Sequence, residues 1–300
     1  MNSAPITPDL SIIIVNWNTR QLLSQCLQSV MDNLRGMSIE SFVVDNGSTD
    51  NSVEMVRGEF PEVILIENRE NLGFARANNQ AIQLSQGRYI LLLNSDAFLS
   101  PNAIQKMIHL MEADVSIGIA GACLVYPDRS TQKAHGPLPN YCSEVCSLFG
   151  LDKFFKAKVN NQEYQETGWV NGACMLIRKT LLDQVGLLDE AFFMFNEEID
   201  LCNRCHKVGA KVVYVKSAIV IHVEGGSTGQ TVQRIIRLYS GKLQYFYKYF
   251  GSNVENRLKH MMVIASMCKF VIYRLLRVIS LGRIRKDDFW WDVSKKLLIM

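Results

Sequence analysis

Short apolar segments alternate with amphipathic ones along the first hundred residues, and no other feature constrains the fold as strongly. Four segments have the composition of buried strands: Leu10–Val15, Ser41–Val44, Val63–Glu67 and Arg88–Leu93. The segments between them repeat apolar residues every three or four positions, as helices do: 21–34, 52–59 and 74–86. Because such alternation forms βαβ units, we expect an α/β fold with a Rossmann-like, mostly parallel central sheet and helices on both faces.

The rest of the chain continues the α/β pattern with one long interruption. The further elements expected after Pro101 are a helix to about Ala113, a strand at Ile117–Val125, a strand at Gly168–Arg178, helices at Lys179–Val185 and Asn196–Gly209, and short strands at Lys211–Val215 and Ala218–His222. The interruption, Asp128–Gln165, contains Gly136, Pro137 and Pro139. We therefore expect an inserted, irregular loop there.

Polar residues follow three of the predicted strands, at the point where each strand ends: Asn16 and Asn18, Asp45 and Asn46, and Asn94 and Asp96. In open α/β sheets, ligands bind at the carboxyl ends of the strands, where the strand order switches. The sequence therefore predicts a binding site at this edge of the sheet.

The triplet Asn94-Ser95-Asp96 places a carboxylate directly after the apolar strand, with no Lys or Arg beside it. Mg²⁺ and Mn²⁺ prefer oxygen ligands and usually keep phosphate oxygens and waters as well, so Asp96 is a candidate metal ligand. The alternative is that Asp96 caps the next helix or closes a turn before Pro101. Polar residues at the two other strand ends favour the metal.

Two further positions are candidates for chemistry. Glu197, Glu198 and Asp200 crowd a predicted helix start behind the aromatic run 192–195, and crowding beside apolar residues raises proton affinity, as a general base requires. The alternative is that these acidic side chains only complement the positive end of the helix dipole. His222 ends an apolar strand before a Gly-Gly pair, so it is either a structural histidine or a ligand beside close backbone.

Several classes of protein are excluded by the sequence. The net charge of +3 is too small to indicate nucleic-acid binding. The dinucleotide motif G-x-G-x-x-G and the phosphate loop G-x-x-x-x-G-K-[ST] are missing. The N-terminus lacks the features of a signal peptide, so we expect a cytoplasmic protein with reduced cysteines, and no haem at Cys202-x-x-Cys205-His206.

The C-terminal fifty residues are basic, with ten Lys/Arg and four Asp/Glu from Gly251 onward. Met261–Leu276 is apolar but is interrupted by Lys269 and Arg274, so it is too short a run to span a membrane. We expect an interfacial helix and peripheral membrane contact through residues 254–291. The alternative is a helix that packs on the rest of the chain or on a second subunit.

Seven ordered blocks between Leu10 and Thr228 resemble glycosyltransferase family 2, and within it the bacterial rhamnosyltransferase-like branch. These blocks are SIIIVNWNT, FVVDNGSTDNS, ENLGFARANNQAI, YILLLNSDAF, GWVNGACMLIRK, FFMFNEEIDLCNRC and VIHVEGGST. The resemblance implies a GT-A fold, with a flexible N-terminus at 1–9, a catalytic domain at 10–235 and a helical extension at 236–300. Residues 10–100 would be the nucleotide-binding half and 101–235 the acceptor half.

The resemblance also implies roles for individual residues. The nucleotide-sugar site would comprise Asn16, Asn18, Asp45, Asn46, Arg76, Asn94, Ser95 and Asp96. Asp96 and His222 would bind Mg²⁺ or Mn²⁺, and the acceptor pocket would include Trp169, Asn171 and Gly172. Glu198 would be the catalytic base, supported by Glu197 and Asp200. Two positions depart from the family pattern: Asn94 replaces the first aspartate of the metal motif, and Glu198 replaces the usual aspartate of the Glu-Asp pair.

The implied reaction is inverting, metal-dependent transfer of a sugar from a nucleotide diphosphate to a hydroxyl group. dTDP-L-rhamnose or a UDP-sugar would be the donor, and a cell-surface polysaccharide or lipid-linked glycan the acceptor, at the inner face of the cell membrane. Two alternatives remain open: a nucleotidyltransferase on a similar sheet, and a catalytically silent sugar-nucleotide-binding or scaffold protein.

Overall fold

The computed structural model describes residues 7–151, 162–224, 231–279 and 286–300. The chain divides into two units. Unit 1 comprises Met1–Leu138, Asn160–Phe193 and Glu197–Ser227, and unit 2 comprises Pro139–Val159, Met194–Asn196 and Thr228–Met300. Several predictions fall on other residues and so lie outside the described ranges: most of the flexible N-terminus, part of the 128–165 loop, the Gly-Gly pair after Glu224, and the basic residues Arg283 and Arg285.

The strands of the described residues are β1 (Leu10–Asn16), β2 (Ile39–Asp45), β3 (Ile64–Glu67), β4 (Tyr89–Asn94), β5 (Ala97–Leu99), β6 (Ile117–Val125), β7 (His135–Gly136), β8 (Tyr164–Glu166), β9 (Trp169–Val170), β10 (Cys174–Arg178) and β11 (Lys211–His222). The helices are α1 (Arg20–Asn33), α2 (Ser52–Glu59), α3 (Phe74–Leu84), α4 (Ala103–Ala113), α5 (Tyr141–Leu148), α6 (Lys179–Val185), α7 (Glu197–Lys207), α8 (Val232–Phe250), α9 (Ser252–Ile279) and α10 (Asp287–Ile299). Except for α5, α8, α9 and α10, these elements lie in unit 1.

Unit 1 is built on one sheet with the strand order β3-β2-β1-β4-β10-β6-β11-β5, with β8 paired to β11. The first four strands are parallel, and β10 runs antiparallel between β4 and β6. This confirms the predicted mostly parallel sheet with helices on both faces. The register pairs Asn16 with Asp45 and Val15 with Asn94, so the polar ends of β1, β2 and β4 meet at one edge.

The central strands are apolar because they are buried on both faces. In β1 and β4, the side chains from Leu10 to Ile14 and from Tyr89 to Leu93 are buried. Helix α1 turns Leu23, Cys26, Leu27 and Val30 into the core and leaves its polar positions outside. Burying one Leu or Ile side chain stabilises the folded state by about 1.5–3 kcal/mol. The buried residues therefore fix the position of each strand end relative to the core.

Three predicted elements differ from the observed ones. The expected strand 168–178 is divided into β9 and β10, because Asn171 turns the chain and its Oδ1 accepts a hydrogen bond from the Ala173 N–H at 2.8 Å. The two short strands expected at 211–222 are one strand, β11, with a register shift against β6 between Val215 and Ile219. The expected irregular loop contains β7, α5 and the start of β8.

Unit 2 is helical. Its α9 runs from Ser252 to Ile279 and is longer than the segment 261–276 that hydropathy marks out. A fully buried carboxylate, Asp287 of α10, accepts hydrogen bonds from Arg274 at 3.2 Å and from Arg277 at 3.0 Å, so two of the basic residues of α9 serve internal packing. Within the described ranges, no helix combines the length and the apolarity needed to cross a membrane.

Candidate active site

Asn16 and Asp45, at the ends of β1 and β2, are the centre of a buried hydrogen-bond network. Asn16 Nδ2 donates to Asp45 Oδ1 at 2.8 Å, and the Ser48 N–H donates to Asp45 Oδ2 at 2.8 Å. Asn16 Oδ1 accepts from the Thr19 hydroxyl at 2.6 Å, and Thr19 Oγ1 lies 2.8 Å from Ser95 Oγ. The structure therefore brings together residues from all three predicted strand ends, and it satisfies both oxygens of Asp45.

Asn18 connects the two loops that follow β1 and β2 by hydrogen bonds. Its φ of 53° lies in the left-handed region, which asparagine tolerates better than most residues. Its N–H donates to Ser48 Oγ at 2.9 Å, and its Oδ1 accepts from the Thr49 N–H at 2.8 Å. These bonds fix the loops at the rim of the network, and a contact between Asn18 and nucleotide stays a prediction.

Asn46 connects the same edge to the loop that begins α3. Its Nδ2 donates to the Gly73 carbonyl at 3.1 Å. Gly73 has φ of +86°, and a Cβ atom there would lie 2.3 Å from the Phe193 carbonyl oxygen, so only glycine fits. The Phe193 carbonyl oxygen also accepts a hydrogen bond from the Phe74 N–H at 2.7 Å. The strand-end network is thus joined to the segment that precedes α7.

Asp96 and His222 lie side by side because β5 pairs with β11. The register places His222 opposite Ala97, and the Val223 N–H donates to the Asp96 carbonyl at 3.0 Å. His222 Nε2 is 3.3 Å from Asp96 Oδ1, and both residues are buried. Asn94 Nδ2 lies 3.4 Å from the same imidazole nitrogen. The three residues that the sequence linked to a metal therefore form one cluster.

The donor set of this cluster is one carboxylate and one imidazole. Among the residues that the structure describes, no group of three or more His, Cys, Asp or Glu side chains is arranged to hold a metal ion. With two protein ligands of these kinds, a cation there would have coordination positions left for phosphate oxygens and water. Mg²⁺ and Mn²⁺ bind in this way when phosphate oxygens and water complete the coordination, so the residues fit a cation shared with a diphosphate.

Glu197 and Glu198 begin α7, and Glu197 is the more deeply buried of the two. Glu197 is 4% exposed, and its Oε2 has no hydrogen-bond partner among the described residues. Burial raises the pKa of the Glu197 carboxyl well above its ordinary range, and the neighbouring Glu198 raises that pKa further. Glu198 is half-buried. The residues just before α7, Phe195 and Asn196, have φ of 73° and 72°, a strained entry of the kind found at functional sites.

Glu198 faces the turn between β9 and β10. A Cβ atom built on Gly172 would lie 3.6 Å from Glu198 Cβ and 3.7 Å from Phe74 Cε1. Asn171, the preceding residue, is held by hydrogen bonds from its own N–H to the Ala134 carbonyl and from the Ala173 N–H to its side chain, each 2.8 Å long. The structure therefore brings the predicted base together with two of the three predicted acceptor-pocket residues.

Asp200 has a structural contact that the sequence did not reveal. It is fully buried and forms an ion pair with Arg204 Nε at 2.8 Å, one turn further along α7. Arg204 Nη1 also donates to the carbonyls of Val185 and Gly186, at 2.7 and 3.1 Å. Asp200 thus ties α7 to the end of α6. Because residues two apart on a helix do not face each other, Asp200 and Glu198 project differently from α7.

Arg76 and Trp169 lie in more open surroundings. Arg76, on α3, has its Nε 4.0 Å from Glu190 Oε2, and both side chains are about half exposed. Trp169 is partly buried, and a Cβ atom on Gly136 of β7 would lie 3.1 Å from its Nε1. The predicted contacts of Arg76 with the sugar-phosphate and of Trp169 with acceptor remain predictions.

Three residues of the site were not singled out in the sequence. Thr19 and Ser48 complete the Asn16 network, and they belong to the motif blocks SIIIVNWNT and FVVDNGSTDNS. Gln132 contacts both the ring and the carbonyl of His222. It lies in a segment expected to be an irregular loop, ninety positions from His222, so no local pattern could have found it.

Comparisons with known proteins show the family to which the chain belongs. The profile of glycosyl transferase family 2 matches residues 11–186. The chain is 27% identical over 246 residues to an N-acetylglucosaminyl-diphospho-decaprenol L-rhamnosyltransferase of Mycobacterium tuberculosis, a match that covers 75% of this chain and 79% of that protein. It is 24% identical over 221 residues to a low-salt glycan biosynthesis hexosyltransferase of Haloferax volcanii, covering 71% of this chain and 67% of that one.

A solved structure shares the fold. The mannosyltransferase of Pyrobaculum calidifontis, in complex with GDP-Man and Mn²⁺, superposes with a TM-score of 0.57 over 98% of this chain and 86% of that one. The sequence identity is 15%, so this likeness concerns the fold alone. It confirms the GT-A architecture expected from the seven blocks.

Proposed function

The chain belongs to glycosyltransferase family 2, as the seven sequence blocks predicted, and from this premise we propose an inverting enzyme that transfers L-rhamnose from dTDP-L-rhamnose. A UDP-sugar is the second candidate donor. The acceptor is a hydroxyl group of a lipid-linked glycan precursor or a cell-surface polysaccharide. The rhamnosyl donor and lipid-linked acceptor are supported by the relative from Mycobacterium tuberculosis, whose name contains both.

One observation carries the catalytic proposal: Glu198, Asn171 and Gly172 lie together in the unit that also holds the Asp96–His222 pair. In this proposal, Asn16, Asp45 and their network bind the nucleoside of the donor. The strand-end cluster of Asp96 and His222 faces the diphosphate. A divalent cation, when bound there, supplies positive charge that stabilises the leaving diphosphate.

Glu198 acts as the general base. Its carboxylate accepts the proton of the acceptor hydroxyl as the hydroxyl oxygen attacks the anomeric carbon. The bond from that carbon to the diphosphate oxygen breaks on the opposite face, and its electron pair leaves with the nucleotide diphosphate. A single displacement of this kind inverts the anomeric configuration.

Glu197 lies beside Glu198 as a protonated neighbour in this proposal. Because the pKa of the buried Glu197 carboxyl is raised well above its ordinary range, Glu197 retains its proton where an exposed carboxyl would lose it. A neutral neighbour adds no negative charge beside the Glu198 carboxylate that takes the proton of the acceptor.

We also propose that unit 2 makes peripheral contact with an anionic membrane at its cytoplasmic face. The second half of α9 exposes an apolar surface, the α9 face: Ile264, Met267, Val271, Ile272, Leu275, Val278 and Ile279. From Asn256 to Lys286 the chain has eight Lys/Arg and no Asp or Glu. Even with Arg274 and Arg277 paired to Asp287, this composition favours an anionic lipid surface over a charged protein partner.

The decisive experiment measures product release from a panel of donors: dTDP-L-rhamnose, UDP-glucose, UDP-N-acetylglucosamine and GDP-mannose. The proposal expects release of dTDP, dependent on a polyprenyl-diphosphate glycan acceptor and lost in EDTA. Release of pyrophosphate would instead identify a nucleotidyltransferase. Tight donor binding without any release would identify a silent binding protein. The anomeric configuration of the product, read by NMR, tests inversion separately.

A further inference from the structure

Gln132 is a buried polar residue with two hydrogen bonds to His222. Its backbone is fixed on β6, because its N–H donates to the Leu124 carbonyl at 2.9 Å and the adjacent Thr131 bridges to Val125. Its Nε2 lies 2.6 Å from the His222 carbonyl oxygen, and its Oε1 lies 2.8 Å from His222 Nδ1. Both ends of the carboxamide therefore contact the same residue.

These two bonds determine which imidazole nitrogen carries the proton. A carbonyl oxygen only accepts, so the amide nitrogen of Gln132 must be the atom facing it. The amide oxygen then faces Nδ1, and an amide oxygen also only accepts. Nδ1 must therefore be the protonated nitrogen in the neutral ring. The lone pair of the ring is left on Nε2, the atom 3.3 Å from Asp96 Oδ1.

We infer that Gln132 is a positioning residue that presents the Nε2 lone pair of His222 beside Asp96 for a divalent cation. This inference rests on the proposed function, since it concerns the cluster that faces the diphosphate. Without Gln132 the ring could rotate or adopt the other tautomer, and Nε2 would then carry a hydrogen where a cation needs an electron pair. Partners that orient a histidine ligand typically contribute 10–100-fold to metal affinity.

The test compares three full-length proteins: wild type, Gln132→Met and Gln132→Glu. Methionine matches the volume of glutamine but removes both hydrogen bonds. Glutamate keeps an acceptor for Nδ1–H, but it loses the donor to the His222 carbonyl and places a second acceptor oxygen against that carbonyl. Long-range ¹⁵N correlation spectra of metal-free, histidine-labelled protein report the tautomer of His222, assigned by its loss in His222→Gln. Electron paramagnetic resonance of Mn²⁺ with dTDP reports metal affinity.

We expect His222 to be the Nδ1–H tautomer in wild type and in Gln132→Glu, and to lose this preference in Gln132→Met. We expect Mn²⁺ affinity to fall about 10–100-fold in Gln132→Met and to be retained in Gln132→Glu. The matched control is Gln165→Met, because Gln165 Nε2 contacts another histidine of the same unit, His135 Nδ1, at 3.2 Å. That variant should bind Mn²⁺ as wild type does.

Four results would overturn the inference. These are an Nε2–H tautomer in wild type, wild-type protein that binds no Mn²⁺, an unchanged Mn²⁺ affinity in Gln132→Met, and an equal loss of affinity in Gln132→Glu, which would assign the effect to the contact with the His222 carbonyl. The proposed sugar transfer is judged separately, by acceptor-dependent dTDP release. Wild-type protein that releases dTDP, together with an unchanged Mn²⁺ affinity in Gln132→Met, would overturn this inference alone.

Discussion

Gly172 and Glu198 lie against each other although 26 residues separate them, with only 3.6 Å between Glu198 Cβ and the position of a Cβ atom on Gly172. The pairing places the first turn of α7 over the turn between β9 and β10. Glycine at position 172 adds no side chain beside Glu198. The predictions below begin with this pair.

Glu198→Gln should abolish sugar transfer and leave donor binding nearly unchanged. Glutamine has the size of glutamate but cannot accept the proton of the acceptor hydroxyl. General-base catalysis contributes roughly 10²–10⁴-fold, so a fall of this size is expected in kcat. dTDP release measures transfer, and calorimetry with dTDP measures binding. Glu62→Gln, at an exposed site in the same unit, is the control. Substantial turnover in Glu198→Gln would remove Glu198 from the mechanism.

Gly172→Ala should leave stability unchanged, whereas Gly121→Ala should not. The added methyl at Gly172 meets its neighbours at ordinary contact distances. At Gly121 it would lie 2.3 Å from Val170 Cβ, inside the sheet. Overpacking of this kind costs about 1–3 kcal/mol, which urea denaturation would detect as a lower free energy of unfolding. Equal stability of the two variants would contradict the packing between β6 and β9.

Asn94→Asp should strengthen the binding of Mn²⁺ and make stability depend on it. Asn94 Nδ2 lies 3.4 Å from His222 Nε2, so an aspartate would add a second carboxylate to the cluster. Without metal the like charges repel, and the thermal midpoint in EDTA should fall below that of wild type. A saturating cation should restore the thermal midpoint. A ligand at a hundred times its dissociation constant stabilises the folded state by roughly 2.7 kcal/mol. Thermal denaturation with and without Mn²⁺ tests both parts, and an unchanged response to Mn²⁺ would count against this site.

Glu197 should make the protein less stable as pH rises. Its pKa is raised in the folded state, so the folded protein holds a proton that the unfolded chain has lost above about pH 4.3. The free energy of unfolding contributed by this group should therefore decline with pH from there up to the folded pKa, by at most ~1.4 kcal/mol per pH unit. Glu197→Gln should flatten this decline and be more stable than wild type at neutral pH.

Urea denaturation at several pH values measures the slope for Glu197→Gln and for wild type. Glu62→Gln serves as the control, because an exposed carboxyl should leave the slope unchanged. Parallel pH profiles for wild type and Glu197→Gln would show that Glu197 is ionised in the folded protein.

Charged substitutions on the α9 face should release the protein from membranes. Val271 and Ile272 are 52% and 54% exposed, so Val271→Glu and Ile272→Glu should not disturb the core. Sedimentation with phosphatidylglycerol vesicles should fall for both variants and for wild type at high salt, because apolar insertion and charge attraction act together. Leu84→Glu, at a residue of unit 1 that is 58% exposed, should bind as wild type does. Wild-type protein that fails to sediment with the vesicles at low salt would contradict membrane contact. If wild type is instead a dimer that Val271→Glu dissociates, the α9 face contacts a second copy of the chain.

The local sequence pattern was sufficient to predict the strands and helices that form the core. The strands β1 to β4 and the helices between them follow from runs of buried apolar residues and from helical spacing, and the structure has them within a few residues of the predicted bounds. The polar strand ends were also visible, because Asn16, Asp45 and Asn94 stand at the end of such runs. Elements without a distinctive local pattern were not visible: β5 has only three residues, and the turn at Asn171 divides a segment that is otherwise mostly apolar.

The sequence by itself determined that this chain forms a mostly parallel α/β sheet, and its ordered blocks predicted the family. Both depend on residues close together in the chain, whose periodicity and order need no coordinates. Only the tertiary structure decided which side chains meet. His222 reaches Asn94 across 128 positions and Gln132 across 90, because β11 pairs with β5 on one side and with β6 on the other. The ion pair of Asp200 with Arg204 is local to α7, whereas the bonds from Arg204 to the carbonyls of Val185 and Gly186 depend on the fold.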